Sequence, residues 1–248
     1  MIDGPAGGDE PAAGDPKLGR FAAAVAAADD PTLGRFAAAV AAADPQRPFR
    51  LGLLGGTFDP VHFGHLLLAQ AAWEQNSLDG ILFIPTAFPF YKSNRLTSPS
   101  AERLAMLGLA VADDARFAVS QVETGRSSPC YTVDTLQIIK QAGGDRLELF
   151  LVVGADALQD LPHWKDAQRI AALVPVLYAR RPGSDDRSAS QAAEAIGFRT
   201  VAIRQPFVEI SSSALRARVA DGLALSYLTP PAVVEYIEKH RLYRGQPA

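Results

Sequence analysis

From Phe49 onward the chain alternates short apolar runs with stretches of helical periodicity. RLGLLGG (50–56), GILFIPT (80–86), Phe117–Val122, LELFLVVG (147–154), VPVLYARR (174–181) and FRTVAIR (198–204) read as strands. Between them, Leu66–Gln75, 99–112, Thr132–Gln141, 165–173 and 187–196 read as helices, and two more follow near 211–221 and 231–240. Thr97 or Ser98 is expected to cap the helix that Pro99 opens, and Thr229-Pro230-Pro231 opens the last, where Glu235 and Lys239 form an i, i+4 pair. Near-continuous apolar strands alternating with helices predict an α/β fold: a Rossmann-like, doubly wound, mainly parallel sheet with helices on both faces and a small C-terminal helical segment. Ligands of such sheets bind beyond the carboxyl ends of the strands, so the loops just after strands are where chemistry is expected.

The first 48 residues differ in kind. Residues 1–17 are mostly Gly, Pro, Asp and Ala, and LGRFAAAVAAAD then occurs twice, at Leu18–Asp29 and Leu33–Asp44. Alanine favours helix, but Pro31, Gly34 and Pro45 interrupt it. The segment reads either as a poorly ordered duplicated extension or as a pair of docking helices. The expected organisation is this extension over 1–48, one domain over 49–244 and a tail over 245–248.

Charge follows the same division. Residues 1–49 carry four basic and seven acidic side chains, net −3, which is also the net charge of all 248 residues. The body is therefore neutral and has no strongly basic stretch, which argues against a nucleic-acid-coating protein but not against a small anionic ligand. A single cysteine, Cys130, excludes an intramolecular disulfide and an all-cysteine metal site. No apolar run approaches the ~18 residues of a membrane span, and no basic residue precedes Lys17, so a cytoplasmic protein free of membrane contact is the expectation. Assembly as a homo-oligomer stays open.

Two segments carry the chemistry. Gly55-Gly56-Thr57-Phe58-Asp59-Pro60-Val61-His62-Phe63-Gly64-His65 joins the first strand to a helix. The glycines permit a tight turn and close approach to a ligand, and His62 and His65 share one face of a helical first turn. A phosphate placed there would meet free N–H groups, the helix dipole and two imidazoles. The segment is neither a Walker loop nor a Gly-x-Gly-x-x-Gly fingerprint. Metal ligation and two structural histidines are the competing readings; no Glu follows His62 and no third ligand is evident. The second segment, Ile210-Ser211-Ser212-Ser213-Ala214-Leu215-Arg216, lies at another helix start. Its serines can cap N–H groups or bind phosphate oxygens, and Arg216 can offer paired donors or simply be solvated.

The first segment resembles the His-x-Gly-His signature of the nucleotidylyltransferase superfamily. The second resembles that superfamily's Ile-Ser-Ser-Thr-x-x-Arg motif with Ser213 in the Thr place, about 145 residues further on. Ile84-Pro85-Thr86-Ala87, Pro129-Cys130-Tyr131-Thr132-Val133-Asp134-Thr135-Leu136, Val153-Gly154-Ala155-Asp156, Leu161-Pro162-His163-Trp164 and Arg180-Arg181-Pro182-Gly183 look like bacterial nicotinate-nucleotide adenylyltransferases, as does the closing helix from Leu228 to Ile237. The resemblance spans about residues 50–244.

It implies transfer of the adenylyl group of ATP to nicotinate mononucleotide, with Mg²⁺ held mainly by the ATP phosphates, no covalent intermediate and no nucleic-acid partner. It assigns His62, His65, Arg216 and Lys92 to catalysis. Gly55, Gly56, Thr57, Phe58, Ser211, Ser212, Ser213, Gly154, Asp156 and Arg181 go to the ATP side, and Thr86, Lys92, Tyr131, Thr132 and Trp164 to the nicotinate nucleotide. Pro89-Phe90-Tyr91-Lys92 departs from the family's Pro-Pro-His-Lys at Tyr91. Trp164 can instead be core packing, Asp156 can order a strand-end loop, and Arg181 can lie on the surface. Nicotinamide mononucleotide, another phosphorylated acceptor, or an inactive nucleotide-binding protein are the alternatives.

Overall fold

The computed structural model describes residues 38–40, 42–87, 97–126, 129–180 and 186–244. Six strands form one sheet: β1 (Phe49–Gly56), β2 (Gly80–Pro85), β3 (Phe117–Val119), β4 (Leu147–Val153), β5 (Val176–Ala179) and β6 (Thr200–Ile203), in the order β3-β2-β1-β4-β5-β6 with every pair parallel. The helices are α1 (Phe63–Gln75), α2 (Ser100–Val111), α3 (Thr132–Gly143), α4 (Ala155–Asp160), α5 (Ala167–Leu173), α6 (Asp186–Ala195), α7 (Ser212–Ala220) and α8 (Pro231–Lys239). The predicted α/β architecture is observed. Five strands are shorter than the apolar runs suggested, with pairing of β3 stopping at Val119 and that of β5 at Ala179, and β1 starts one residue earlier, at Phe49. A short α4 followed by a 3₁₀ turn over Leu161–His163 occupies a stretch where the pattern predicted no helix.

Alternation along the strands splits the core in two. Leu51, Leu53, Leu82, Leu149, Leu151 and Val153 face one layer with α3–α6. Leu54, Ile81, Phe83, Phe150, Val152 and Leu177 face the other with α1, α2, α7 and α8. Burial of both faces is why the strands read as continuous apolar runs rather than as alternation. Gly52 is required sterically in the middle of β1, because a Cβ there would sit 2.5 Å from Ile81 Cδ1.

The packed structure starts upstream of β1. Val40 is buried in the first core layer, Arg146 donates to the carbonyls of Ala43 and Asp44, and Arg47 grips Asp79 with both terminal nitrogens. Chain order reverses between β1 and β4, so their carboxyl ends open the crevice where a ligand is expected. Among the described residues no helix is long and apolar enough to cross a membrane.

Candidate active site

The loop after β1 is held from many sides. Phe58 adopts a left-handed backbone (φ 51°), which costs a non-glycine residue about 1 kcal/mol. Its ring is 1% exposed and packs edge-on against His65 (4.9 Å) and Phe83 (5.8 Å). Gly56 leaves room for that ring, since a Cβ would lie 2.9 Å from Phe58 Cζ. The Asp59–Pro60 bond is cis.

Helix α1 begins at Phe63, three residues earlier than the apolar periodicity indicated. His62 is thus the extended N-cap residue, and His65 lies in the first turn. The two rings stack with centroids 3.8 Å apart, and the His62 backbone N–H donates to His65 Nδ1 (3.2 Å). In its neutral form His65 therefore carries its proton on Nε2 and presents a donor there. Burial lowers the His62 imidazole to about 4, which keeps it uncharged at neutral pH and relieves the repulsion two stacked imidazoliums would feel. His62 Nδ1 is buried against the first turn of α1, where His62 and His65 form a capping box. A Cβ on Gly64 would meet that same atom at 3.0 Å.

The serine–arginine segment arrives at this loop. Arg216 Nη1 donates to the Asp59 carbonyl (2.7 Å) and Nη2 to Ser213 Oγ (3.3 Å). Ser212 Oγ donates to the Pro60 carbonyl (2.8 Å). Ser211 caps α7, its Oγ accepting from Ala214 N–H (3.2 Å). Both motifs meet, but here Ser211 and Ser212 serve capping and loop support.

Residues that sequence reasoning did not single out complete the scaffold. The Asp59 carboxylate is buried and accepts from Tyr243 O–H (2.7 Å) and Ser98 N–H (3.1 Å). Burial and this carboxylate push the Tyr243 hydroxyl well above its ordinary range, so it stays a donor. Arg103, 1% exposed, donates to the carbonyls of Thr57 (2.9 Å) and Ser98 (3.1 Å), and Thr229 donates to Val61 (2.8 Å). The expected cap of α2 is not formed. Its N-cap is Pro99, with no side-chain cap, because the helix starts at Ser100 and leaves Ser98 one residue before the capping position. Arg103 did leave a signal: it shares the buried stripe of α2 with Met106 and Leu107, where an arginine is out of place unless it is satisfied.

On the other side of Gly55–Thr57 lies a cavity of about 400 Å³ at the carboxyl ends of β1, β2 and β4. Thr86, Tyr131, Thr132, Trp164, Gly55, Gly56, Thr57 and Gly154, all expected from the sequence, line it. Thr86 donates its hydroxyl to the Gly56 carbonyl (3.2 Å), so that side chain ties β2 to β1. Asp156 is exposed on the first turn of α4 and does not line the cavity. Glu123 does line it; burial pushes its carboxyl up, partly opposed by the Thr135 hydroxyl donating to it (2.9 Å). Lys165 lies at the cavity with its ammonium 3.9 Å from the Tyr131 ring centre. Lys92 and Arg181 lie outside the described residues. Among the described residues there is no group of three or more His, Cys, Asp or Glu that could hold a metal ion.

Comparison with known proteins bears on the family and the fold. The cytidylyltransferase-like family model matches residues 53–218. A protein of Thermomicrobium roseum named "Probable nicotinate-nucleotide adenylyltransferase" is 42% identical over 197 residues, covering 79% of this chain and 92% of its own. One of the same name from Roseiflexus sp. is 43% identical over 196 residues, covering 78% of this chain and 98% of its own. Among solved structures, Plasmodium falciparum nicotinic acid mononucleotide adenylyltransferase complexed with NaAD superposes with a TM-score of 0.66 at 18% identity, over 78% of this chain and 97% of that one. The same protein complexed with APC gives 0.65. That likeness speaks for the fold, and the sequence relatives speak for the family: the chain belongs to the cytidylyltransferase-like nucleotidyltransferases and, within them, to the nicotinate-nucleotide adenylyltransferases.

Proposed function

We propose that the protein transfers the adenylyl group of ATP to nicotinate mononucleotide, giving deamido-NAD and pyrophosphate in NAD biosynthesis in the cytoplasm. The observation that carries the reading is the shared wall Gly55–Thr57, with a stacked histidine pair at a helix N-terminus on one side and an aromatic-lined cavity on the other. A helix N-terminus suits an anion and an aromatic-lined cavity suits a flat ring, which supports a reaction between two nucleotides.

In this reading an oxygen of the nicotinate mononucleotide 5′-phosphate attacks the α-phosphorus of ATP in line. The new P–O bond forms as the bond to the β-phosphate oxygen breaks, and pyrophosphate leaves with the electron pair. The attacking phosphate is largely ionised at neutral pH (second pKa about 6), so no strong protein base is required. The protein's work is alignment and stabilisation of charge. His65 donates from Nε2, its orientation set by the bond at Nδ1. His62, neutral and stacked on it, adds a second imidazole at the helix N-terminus and holds that ring in place. Arg216 tethers α7 to the loop through the Asp59 carbonyl, and Lys92 adds charge from the segment after Thr86. Mg²⁺ enters with ATP as part of that substrate, liganded by phosphate oxygens and water.

In the cavity, Tyr131 and Trp164 supply aromatic faces for the pyridine ring, and the N-terminus of α3 at Thr132 faces its carboxylate. The test is pyrophosphate release with ATP and Mg²⁺, run in parallel with nicotinate and nicotinamide mononucleotides. A strong preference for the nicotinate compound is expected. Preference for the amide would overturn the acceptor, and release with neither would overturn the activity.

A further inference from the structure

Lys165 is the only lysine or arginine among the described residues lining the cavity, whose other ionisable side chains include Glu123, Cys130, Tyr131 and Asp160. The backbone on both sides of it is fixed. Trp164 N–H donates to the Leu161 carbonyl (3.1 Å), and Asp166, left-handed at φ 53°, accepts at its carbonyl from the N–H groups of Arg169 (2.8 Å) and Ile170 (3.0 Å). Its ammonium rests on the Tyr131 ring, which is 37% exposed. An exposed cation–π contact is weak, so a carboxylate arriving in the same pocket outcompetes it. The carboxylates facing this cation are Asp160 at the exposed end of α4 and Glu123 below. Glu123 is 8% exposed, bonded to Thr135, and disfavoured as an anion by its burial.

We propose that Lys165 is a specificity-determining residue: it leaves the face of Tyr131 to pair with the carboxylate of the nicotinate ring, and so selects nicotinate over nicotinamide mononucleotide. This rests on the reading of the cavity as the pyridine-nucleotide pocket. The amide is uncharged, so the cation contributes to one substrate and hardly to the other.

The test uses Lys165→Met, which keeps the stem and removes the charge, and Lys165→Arg, which restores a charge. Lys165 is exposed, so both variants are expected to fold, and unchanged thermal midpoints check that. With ATP and Mg²⁺, Lys165→Met is expected to raise the KM for nicotinate mononucleotide by roughly tenfold to thirtyfold with kcat within about threefold. The value for the amide substrate should move by less than about twofold, and Lys165→Arg should recover most of the selectivity. An unchanged selectivity ratio overturns the proposal. Equal losses on both substrates overturn it too, and assign the cation to the 5′-phosphate they share. Titration of the Trp164 fluorescence with nicotinic acid and with nicotinamide, using Trp164→Phe to subtract Trp73, gives a readout without turnover. If the unaltered protein turns over neither mononucleotide, the adenylyl-transfer reading fails while this titration still decides Lys165. Tighter binding of nicotinic acid that Lys165→Met abolishes supports the proposal, whereas equal binding of the two compounds, or none, overturns it.

Discussion

The two sides of the Gly55–Thr57 wall are built by different means. On the histidine side, the loop from Thr57 to His65 is held by partners from distant parts of the chain: Arg103, Ser212, Arg216, Thr229 and Tyr243. Most of those bonds end on backbone carbonyls of the loop, so they fix its path and leave the histidine rings to meet a ligand. On the cavity side, the lining comes from the ends of β1, β2 and β4, from Glu123, from the start of α3 and from residues between 160 and 170, and its one cation among the described residues rests on an aromatic face. The contrast suits the chemistry. Charge stabilisation needs donors placed in advance, since donors that reorganise during reaction lose much of their effect. Recognition of a flat ring depends more on shape and on a single well-placed charge.

Predictions that test this contrast run from large effects to small. Arg103→Leu should cost about 4 kcal/mol of stability, because it strips a buried loop of its donors and leaves the nearby Asp59 carboxylate without a compensating charge. Urea unfolding measures this, and a loss below about 1 kcal/mol would mean that the loop is not held as described.

Acid should expose His62. Its folded value of about 4 lies below the unfolded 6.5, so the unfolded chain takes up the proton first and stability falls as pH drops from about 6.5 to 4. The full loss is about 3 kcal/mol, from the 1.36 kcal/mol carried by each pH unit. Glu123, with a raised folded value, shifts stability the opposite way as pH falls towards 4.5. The difference between the protein and its His62→Gln variant across that range isolates the histidine, and parallel curves would refute its burial.

His65→Ala should lower kcat by ~10²-fold or more, about 2.7 kcal/mol, with the fold intact. Near-normal turnover in a folded variant would reject its role as a donor to the reacting phosphates. Tyr243→Phe, which removes one hydrogen bond to the buried Asp59 carboxylate, should cost about 1.5 kcal/mol in urea unfolding with a smaller loss of kcat. On the cavity side, Trp164→Leu should raise the KM for nicotinate mononucleotide about tenfold, roughly 1.4 kcal/mol, and leave kcat nearly unchanged. If it lowers kcat as much as His65→Ala, the division between a placed side and a shaped side breaks down.

The second copy of the N-terminal repeat shows that docking depends on partners outside the string. LGRFAAAVAAAD occurs twice, and in the second copy Val40 enters the core while Arg146 holds the carbonyls of Ala43 and Asp44. That copy is five residues from β1, so little chain need be ordered to dock it. Nothing in the string itself reports this. The docking depends on Arg146, about a hundred residues away, and on Arg47 meeting Asp79.

By itself the sequence determined the α/β class, the place of every strand, and the two motif segments that the fold brings together, because those follow from local periodicity, turn residues and motifs read within a dozen positions. It also marked Thr86, Tyr131, Thr132 and Trp164, which the fold does bring to one cavity. Only the tertiary structure decided that α1 starts at Phe63 and makes His62 its N-cap, that Pro99 rather than Ser98 stands at the N-cap of α2, and that Arg103 and Tyr243 support the loop from the same core layer though they are distant in the chain. Local pattern cannot carry these, because a buried polar group takes whichever partner the fold delivers, and here the partners lie up to 184 residues apart.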